Sequence, residues 1–489
     1  MHFVKDDVVI SGVGGYFPKC MNIGEFKDRL LNNENLMESR WKAGERGVTN
    51  VIGKVPAEFF DSGYFGIHRQ QCTFMDPMHR LILERTFEAL TDAGVNPSEV
   101  RGKRIGCFMS SSLGENDSLF LESVLSGFGV TGHSRAMMPN RVSYWLDLKG
   151  PSVHYDSNWI SGIEVLRLAY EAIKTGQCES VLVGSANLVL NAEFQWLYHD
   201  MGLLSPDGLT KAFDIDAQGY GRSDGVVVLY IQRASEARRS YASIINVATR
   251  FDGNREGTLL DIDANNLAEF IDEFYDECDV DPSEVEFVEA YGCALKVSTA
   301  DKNSLAHEMR RRGNERVYVF MCQAVFVELW ETDRKELEAL EKVYCKNRKN
   351  PLLVGSVKPN TGHSEASAGL FSVVKVLIAM ETETIPATIN YNTPNPELLP
   401  LINGSIQVVT ENRKWGAKYA AVNGIGIDSY YGHVLLKANQ KTKVISELQD
   451  DIPRLVLAST RTESGIKEVL EIVSASTRPS NMSKILVLR

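Results

Sequence analysis

The 489 residues contain no C-x-x-C pair, no long apolar run and no excess of positive charge. The eight cysteines, Cys20, Cys72, Cys107, Cys178, Cys278, Cys293, Cys322 and Cys345, are scattered along the chain. That spacing argues for reduced thiols and against a disulfide framework or a zinc site. The nine histidines show no metal-ligand spacing, so no metal and no cofactor are expected. Lys and Arg number 52 against 64 Asp and Glu, a net charge of −12, which argues against a nucleic-acid partner. No stretch reaches the roughly 18 apolar residues of a membrane span. The opening "MHFVKDDVVISGVGGYFP" puts Asp6 and Asp7 where a secretory signal needs an apolar segment, so a cytoplasmic location is expected. With 44% hydrophobic and 24% charged residues, the composition is that of an ordinary globular protein.

What is present is an alternation of short β-branched runs and helical patterns. "VVISGVGGYFP", "RIGCFMSSS", "SVLVGSANLV", "GVVVLYIQR", "VEFVEAYG" and "PLLVGSVKPN" read as strands. "MHRLILERTFEALTDAG" places Leu81, Leu83, Phe87, Leu90 and Ala93 on one face of a helix ending near Gly94. "EASAGLFSVVKVLIAMETE" is apolar on all sides, as a helix sandwiched between layers would be. Residues Gly150–Val183 and Pro351–Met380 repeat the order strand, special loop, buried helix. The expectation is an α/β protein with a duplicated, layered α/β/α/β/α architecture.

Within the first repeat, "GPSVHYDSNWISGIEVLRLAYEAI" is a strand, a sharp loop and a helix. A helix N-terminus of this kind is a good mount for a thiolate or alkoxide nucleophile. Yet the loop carries Trp159, whose indole offers one N–H donor and no nucleophilic atom.

Four segments carry a resemblance: "MDPMHRLILERTFEALTDAG" (75–94), "RAMMPNRVSYWLDLKGPS" (135–152), "GLLSPDGLTKAFDIDAQGYGRSDGVVV" (202–228) and "VGSVKPNTGHSEASAGL" (354–370). Together they resemble the β-ketoacyl synthase domain of type I fatty acid and polyketide synthases. "RWKAG" (40–44), "RAMM" and the tail "PRLVLASTRTESGIKEVLEI" (453–472) are similar to the animal fatty acid synthase in particular. The resemblance spans about residues 6–475. It implies a thiolase-like fold, with an N-terminal ketosynthase half over 1–240, a C-terminal half over 241–440 and the start of a linker over 441–489. It also implies a homodimer, or a heterodimer with an active ketosynthase, and acyl carrier protein as a further partner.

The family reaction implies four side chains. A cysteine takes an acyl group from a carrier thioester. Two histidines polarise a malonyl thioester, which loses CO2 and attacks the acyl-cysteine, and a lysine supports the second histidine. The cysteine motif D-T-A-C-S-S-S stands here as Asp156-Ser157-Asn158-Trp159-Ile160-Ser161-Gly162. The first histidine motif E-A-H-G-T-G-T stands as Glu289-Ala290-Tyr291-Gly292-Cys293-Ala294-Leu295. The motif K-x-N-x-G-H is intact, with Lys358 and His363. The gate loop G-F-G-G reads Gly426, Ile427, Asp428, Ser429, which puts a Cβ at two positions suited to positive φ. His433 matches a later family histidine, with Tyr431 in place of the accompanying asparagine.

The expectation is therefore a chain that has lost the nucleophile and one histidine. It reads as a condensation-inactive homologue that serves as a dimeric scaffold or as the partner of an active synthase. The alternative is a functional condensing or malonyl-thioester-decarboxylating acyltransferase of fatty acid biosynthesis. Ser157 and Ser161 read as helix caps and Cys293 as a packed residue. Met137 and Met138 read as core filler, and Asp214, Tyr220 and Arg222 as a structural network with an Asp–Arg pair. Residues 298–332 have no counterpart in the family pattern. They hold Arg310, Arg311, Arg312 and the apolar run Val317–Trp330, and read either as an added interaction element or as retained intron sequence.

Overall fold

A computed structural model describes residues 7–41, 48–56, 59–112, 115, 127–253, 262–295, 331–346, 348–416, 418–439 and 463–476. Eleven strands form one sheet: β1 (Val8–Tyr16), β2 (Ile105–Ser111), β3 (Ser152–Tyr155), β4 (Ser180–Asn187), β5 (Gly225–Arg233), β6 (Ala242–Phe251), β7 (Val285–Glu289), β8 (Leu352–Gly355), β9 (Ile406–Val408), β10 (Tyr419–Ile425) and β11 (Tyr430–Ala438). Their spatial order is β9-β8-β7-β10-β11-β6-β1-β5-β4-β2-β3.

The order shows the duplication directly. In the first half β3-β2-β4-β5-β1, strand β2 is parallel to β3 and β4, and β5 is antiparallel to β4 and β1. In the second half β8-β7-β10-β11-β6, strand β7 is parallel to β8 and β10, and β11 is antiparallel to β10 and β6. With β9 left aside, both halves place their strands third, second, fourth, fifth, first. The halves join where Val8, Val9 and Ile10 of β1 pair with Ile244, Ser243 and Ala242 of β6.

Helices alternate with the strands in the same duplicated manner. Helix α1 (Pro77–Asp92) follows β1, α2 (Met137–Leu146) precedes β3, and α3 (Ser161–Lys174) follows β3. Helix α4 (Ala192–Asp200) follows β4 and α5 (Ala264–Cys278) follows β6. Helix α6 (Thr332–Tyr344) precedes β8 and α7 (Ala368–Thr382) follows it. Helix α1 starts where Asp76 accepts the amide of Met78 and Pro77 fills the first turn. It buries Leu81, Ile82, Leu83 and Leu90 against β2, β4 and β5. Phe87, expected on that buried face, is 36% exposed and meets Tyr64 edge-on.

Strand residues alternate between two cores. Val226, Val228 and Tyr230 face α1 and α2, whereas Val227, Leu229 and Ile231 face α3 and α7. In the second half Val422, Val434 and Leu436 face the same α3–α7 pair, and Ala421 and Leu435 face α5 and α6. The layers are therefore α1/α2, sheet, α3/α7, sheet, α5/α6, the expected α/β/α/β/α order. A strand covered on both faces must be apolar throughout, and β1 is buried at all nine positions.

A second compact unit spans 440–489, in which residues Glu463–Ser476 form a helix, α8. The apolar run Val317–Trp330 and Arg310 to Arg312 lie outside the described residues. The chain leaves the described region after Leu295 and re-enters it at Glu331, and Ala294 N–H donates to Asp333 Oδ1 at 3.1 Å across that gap.

Within α7, residues 368–380 are buried, including Lys375. Its Nζ lies 2.8 Å from Oε2 of the equally buried Glu289 at the end of β7. Removing one partner strands a charge in the core. Lys375→Met should therefore lower the urea unfolding free energy by about 3–5 kcal/mol, and Lys375→Met with Glu289→Leu should recover most of that loss.

Candidate functional site

The N-termini of α3 and α7 lie side by side. A Cβ on Gly162 would stand 2.8 Å from Ala366 O, and one on Gly369 would stand 2.5 Å from Ile163 Cγ1. This close approach brings the loop before α3 against the loop before α7. The first carries Trp159 in a 3-10 turn entered through Asn158 at φ +54°. The second carries His363 after Gly362 at φ +77°.

Trp159, His363 and Tyr291 meet there, and all are buried. The Trp159 ring is 4.8 Å from the His363 ring and stands edge-on to Tyr220 at 5.6 Å. Tyr220 lies 4.8 Å from His363 on another side, and the Tyr291 ring is 5.5 Å away. Three aromatic rings thus surround one imidazole.

The hydrogen bonds of His363 fix its state. The amide of Glu365 donates to Nδ1 at 2.9 Å, so Nδ1 carries no proton. Burial, with Lys358 and Arg222 nearby, pushes the ring's pKa well below its usual value and leaves it neutral. The one proton then sits on Nε2, which donates to the Tyr291 hydroxyl oxygen at 2.7 Å. A ring so engaged cannot take a proton at Nε2. It cannot offer its N–H to a substrate oxygen without displacing Tyr291.

Lys358 also reaches this point. Its Nζ donates to the Tyr291 carbonyl at 2.5 Å and sits 4.1 Å from the Tyr291 ring. Burial lowers its pKa, against the pull of Glu336, Glu289 and Asp333. Tyr291 itself is pushed further above its ordinary pKa by burial, so its hydroxyl stays protonated.

Among the described residues, no replacement nucleophile stands here with a base. Burial pushes the Cys293 thiol well above its usual pKa. Ser161 Oγ accepts the Ser157 amide at 2.8 Å and donates to Asn158 O at 2.6 Å. It braces the loop instead of capping the helix, and Ser157 makes no capping bond from its side chain either. The reason is the left-handed turn at Asn158, which moves Ser161 into the first helical turn. Met138 is buried against α1 as core filler, and Met137 is half-buried.

The expected Asp–Arg pair is corrected. Asp214 accepts the backbone amides of Asp216, Asn392 and Thr393. Arg222 instead pairs with Glu115 and Glu365, each at 2.6 Å, and stacks on Tyr198 with its guanidinium carbon 4.0 Å from the ring centre. A five-donor guanidinium is better matched by two carboxylates than by one already saturated with amides.

Residues 426–429 form the turn between β10 and β11, closed by Gly426 N–H donating to Tyr430 O at 2.7 Å. Ile427 packs beside the cluster that holds Trp159. Ser429 adopts φ +60°, so the loss of a glycine has not abolished the left-handed conformation. It costs about 1–2 kcal/mol at that residue. Burial and the nearby Asp156 raise the Asp428 carboxyl.

Two residues were not singled out from sequence. Glu336 accepts the amides of Tyr291 at 2.8 Å and Gly292 at 3.0 Å, and Asp333 accepts those of Cys293, Ala294 and Phe213. Their signal was the i, i+3 spacing of two carboxylates in the first turn of a helix, facing back onto a loop.

The profile "Beta-ketoacyl synthase, N-terminal domain" matches residues 5–237, the corresponding C-terminal domain 305–392 and the "Ketoacyl-synthetase C-terminal extension" 394–487. A fatty acid synthase of Anser anser anser is 34% identical over 382 residues, 77% of this chain and 99% of that one. A highly reducing polyketide synthase of Didymella fabae is 31% identical over 88% of this chain, which spans 22% of that protein's length. The ketosynthase from module 6 of the bacillaene synthase of Bacillus subtilis 168 superimposes with a TM-score of 0.79 at 26% identity, over 96% of this chain and 78% of that one. The module 1 ketosynthase of Bacillus amyloliquefaciens FZB42, at 24% identity and a TM-score of 0.80 over 98% of this chain and 81% of that one, shares the fold. Among the described residues no helix is long and apolar enough to cross a membrane.

A further buried histidine gives a pH test. Burial lowers His433 to about 3, whereas an unfolded chain titrates it near 6.5. Between these values only the unfolded state binds the proton, so the stability that the neutral ring confers is lost as pH falls below about 6.5. The stability gap between wild type and His433→Gln should narrow by about 1.4 kcal/mol per pH unit from pH 6.5 downward. Urea unfolding at a series of pH values measures it, and a constant gap would refute the neutral assignment.

Proposed function

The chain belongs to the β-ketoacyl synthase family of fatty acid and polyketide synthases, and on that premise we propose that it is a condensation-inactive member whose centre is filled by its own side chains. The observation that carries this reading is the Tyr291 hydroxyl 2.7 Å from His363 Nε2, with Trp159 closing the same imidazole at 4.8 Å. Condensation needs a thiolate to hold the acyl chain and free imidazole N–H groups to stabilise the enolate. Here the thiolate position is an indole, and the remaining imidazole N–H is spent on a phenol. A decarboxylating role for His363 alone has no supporting contact, because its Nε2 does not face open space.

With the chemistry gone, the function falls to binding. Strand β3 is the last in the sheet and pairs only with β2 among the described residues. Its four residues are half-buried, and Tyr144 of the adjoining α2 is 88% exposed. An unpaired edge strand beside an exposed aromatic is a template for pairing with another chain. We place the partner on this edge, either as a second copy or as an active ketosynthase, with acyl carrier protein as a further partner. The halves then run over 1–240 and 241–440, with a linker from 441.

Intact-protein mass after incubation with an acyl thioester tests the reading. The wild type should gain no mass. A gain of one acyl group would overturn the proposal, and peptide mapping would locate the nucleophile. Trp159→Cys with Tyr291→His should gain one acyl group, on the new thiol.

A further inference from the structure

Tyr291 is held on His363 from behind, by a buried polar chain. Glu336 Oε1 accepts the Tyr291 amide at 2.8 Å and Asn423 Nδ2 at 3.1 Å, while Oε2 accepts the Gly292 amide at 3.0 Å. Because the Asn423 amide nitrogen is turned to Glu336, its Oδ1 is free to accept, and His433 Nδ1 donates to it at 2.6 Å. His433 Nε2 is then the acceptor, with the Tyr344 hydroxyl at 3.1 Å and that of Tyr275 at 3.4 Å. The two phenols are 2.8 Å apart. Tyr275 and Tyr344 line a surface cavity of about 740 Å³ between α5 and α6, with Asp272, Asp276 and Lys346 on its wall. The carboxylate of Glu336 is the step at which three donors converge.

We propose that Glu336 and His433 are positioning residues of the closed centre: acting through Asn423, they fix the backbone at 291–292 and so hold the Tyr291 hydroxyl on His363 Nε2. The inference rests on the reading of the centre as closed. It explains why α6 follows the 291–295 loop so tightly although 35 residues, 296–330, separate them in sequence. It also makes a demand that simple packing does not. A glutamine is nearly the shape of a glutamate, yet it has one acceptor oxygen and an amine that would confront a backbone N–H. Glu336→Gln therefore leaves at least one of the two loop amides without an acceptor and frees Tyr291, although it removes almost no volume.

Diethyl pyrocarbonate, which acylates accessible neutral imidazoles, reads this directly when modified peptides are quantified by mass spectrometry on the full chain. In the wild type His363 should be protected while the exposed His68 reacts. Glu336→Gln should raise the His363 rate by about tenfold or more, the equivalent of one lost charge-assisted hydrogen bond. Tyr344→Phe, which deletes only the far hydroxyl and leaves the core filled, should raise it by a smaller factor. Leu337→Ala, a cavity on the same helix outside the chain, should leave it unchanged once the rates are compared at equal global stability in urea. The inference is overturned if Glu336→Gln and Tyr344→Phe leave the rate at the wild-type value, or if Leu337→Ala raises it equally. Rapid modification of His363 in the wild type would instead overturn the closed-centre reading, which separates the two failures.

Discussion

The close approach of α3 and α7 is the constraint on which the centre depends. Gly162 and Gly369 leave no room for a Cβ, so the two helices cannot separate or rotate without breaking both halves of the core. Each helix N-terminus is fed by a loop whose direction is set by one residue at positive φ, Asn158 in one and Gly362 in the other. The rings of Trp159 and His363 therefore meet because the layers are stacked, not because either side chain selects the other. A scaffold of this kind preserves a centre's geometry whatever residues stand in it.

That separation of geometry from chemistry accounts for what has been kept. Lys358 and His363 sit in a loop whose backbone is tied into the fold: the His363 amide donates to Gly221 O, and its carbonyl accepts the Ser223 amide. Glu365 holds Arg222 while its amide fixes His363 Nδ1. Altering these residues would disturb the interior as well as the reaction, and buried unpartnered polar groups are costly. Trp159 and Tyr291 bury apolar surface, and the Tyr291 hydroxyl satisfies His363 Nε2, both of which favour the folded state.

The fold was legible in the sequence to a considerable depth. The alternation of β-branched runs with helices and the repeat of strand, loop and buried helix are local signals, and both correspond to the observed layers. The departures from the family motifs were legible too, because Trp159 and Tyr291 interrupt motifs whose flanks survive. What could not be read were pairings across long separations. Arg222 finds partners 107 and 143 residues away, and no spacing rule favours Glu115 and Glu365 over the nearby Asp214. Ser429 was expected to restrict a conformation that it in fact adopts, since the β10–β11 hairpin imposes it on the residue present.

Glu336 lies between these cases. Its spacing from Asp333 is plain in the sequence, yet the loop it grips lies more than 40 residues upstream, beyond residues 296–330. An insertion at that position would ordinarily loosen the two strands of chain it separates, because longer loops raise the entropy lost on closure. The added loss grows only logarithmically with length, by about 0.6 kcal/mol per doubling. Four hydrogen bonds from the amides of residues 291–294 to two buried carboxylates, each contributing about 1.5–3 kcal/mol, exceed that loss several-fold. The clamp therefore keeps the 291–295 loop in register with the core irrespective of what lies in sequence between Leu295 and Glu331, and with it the Tyr291 hydroxyl on His363.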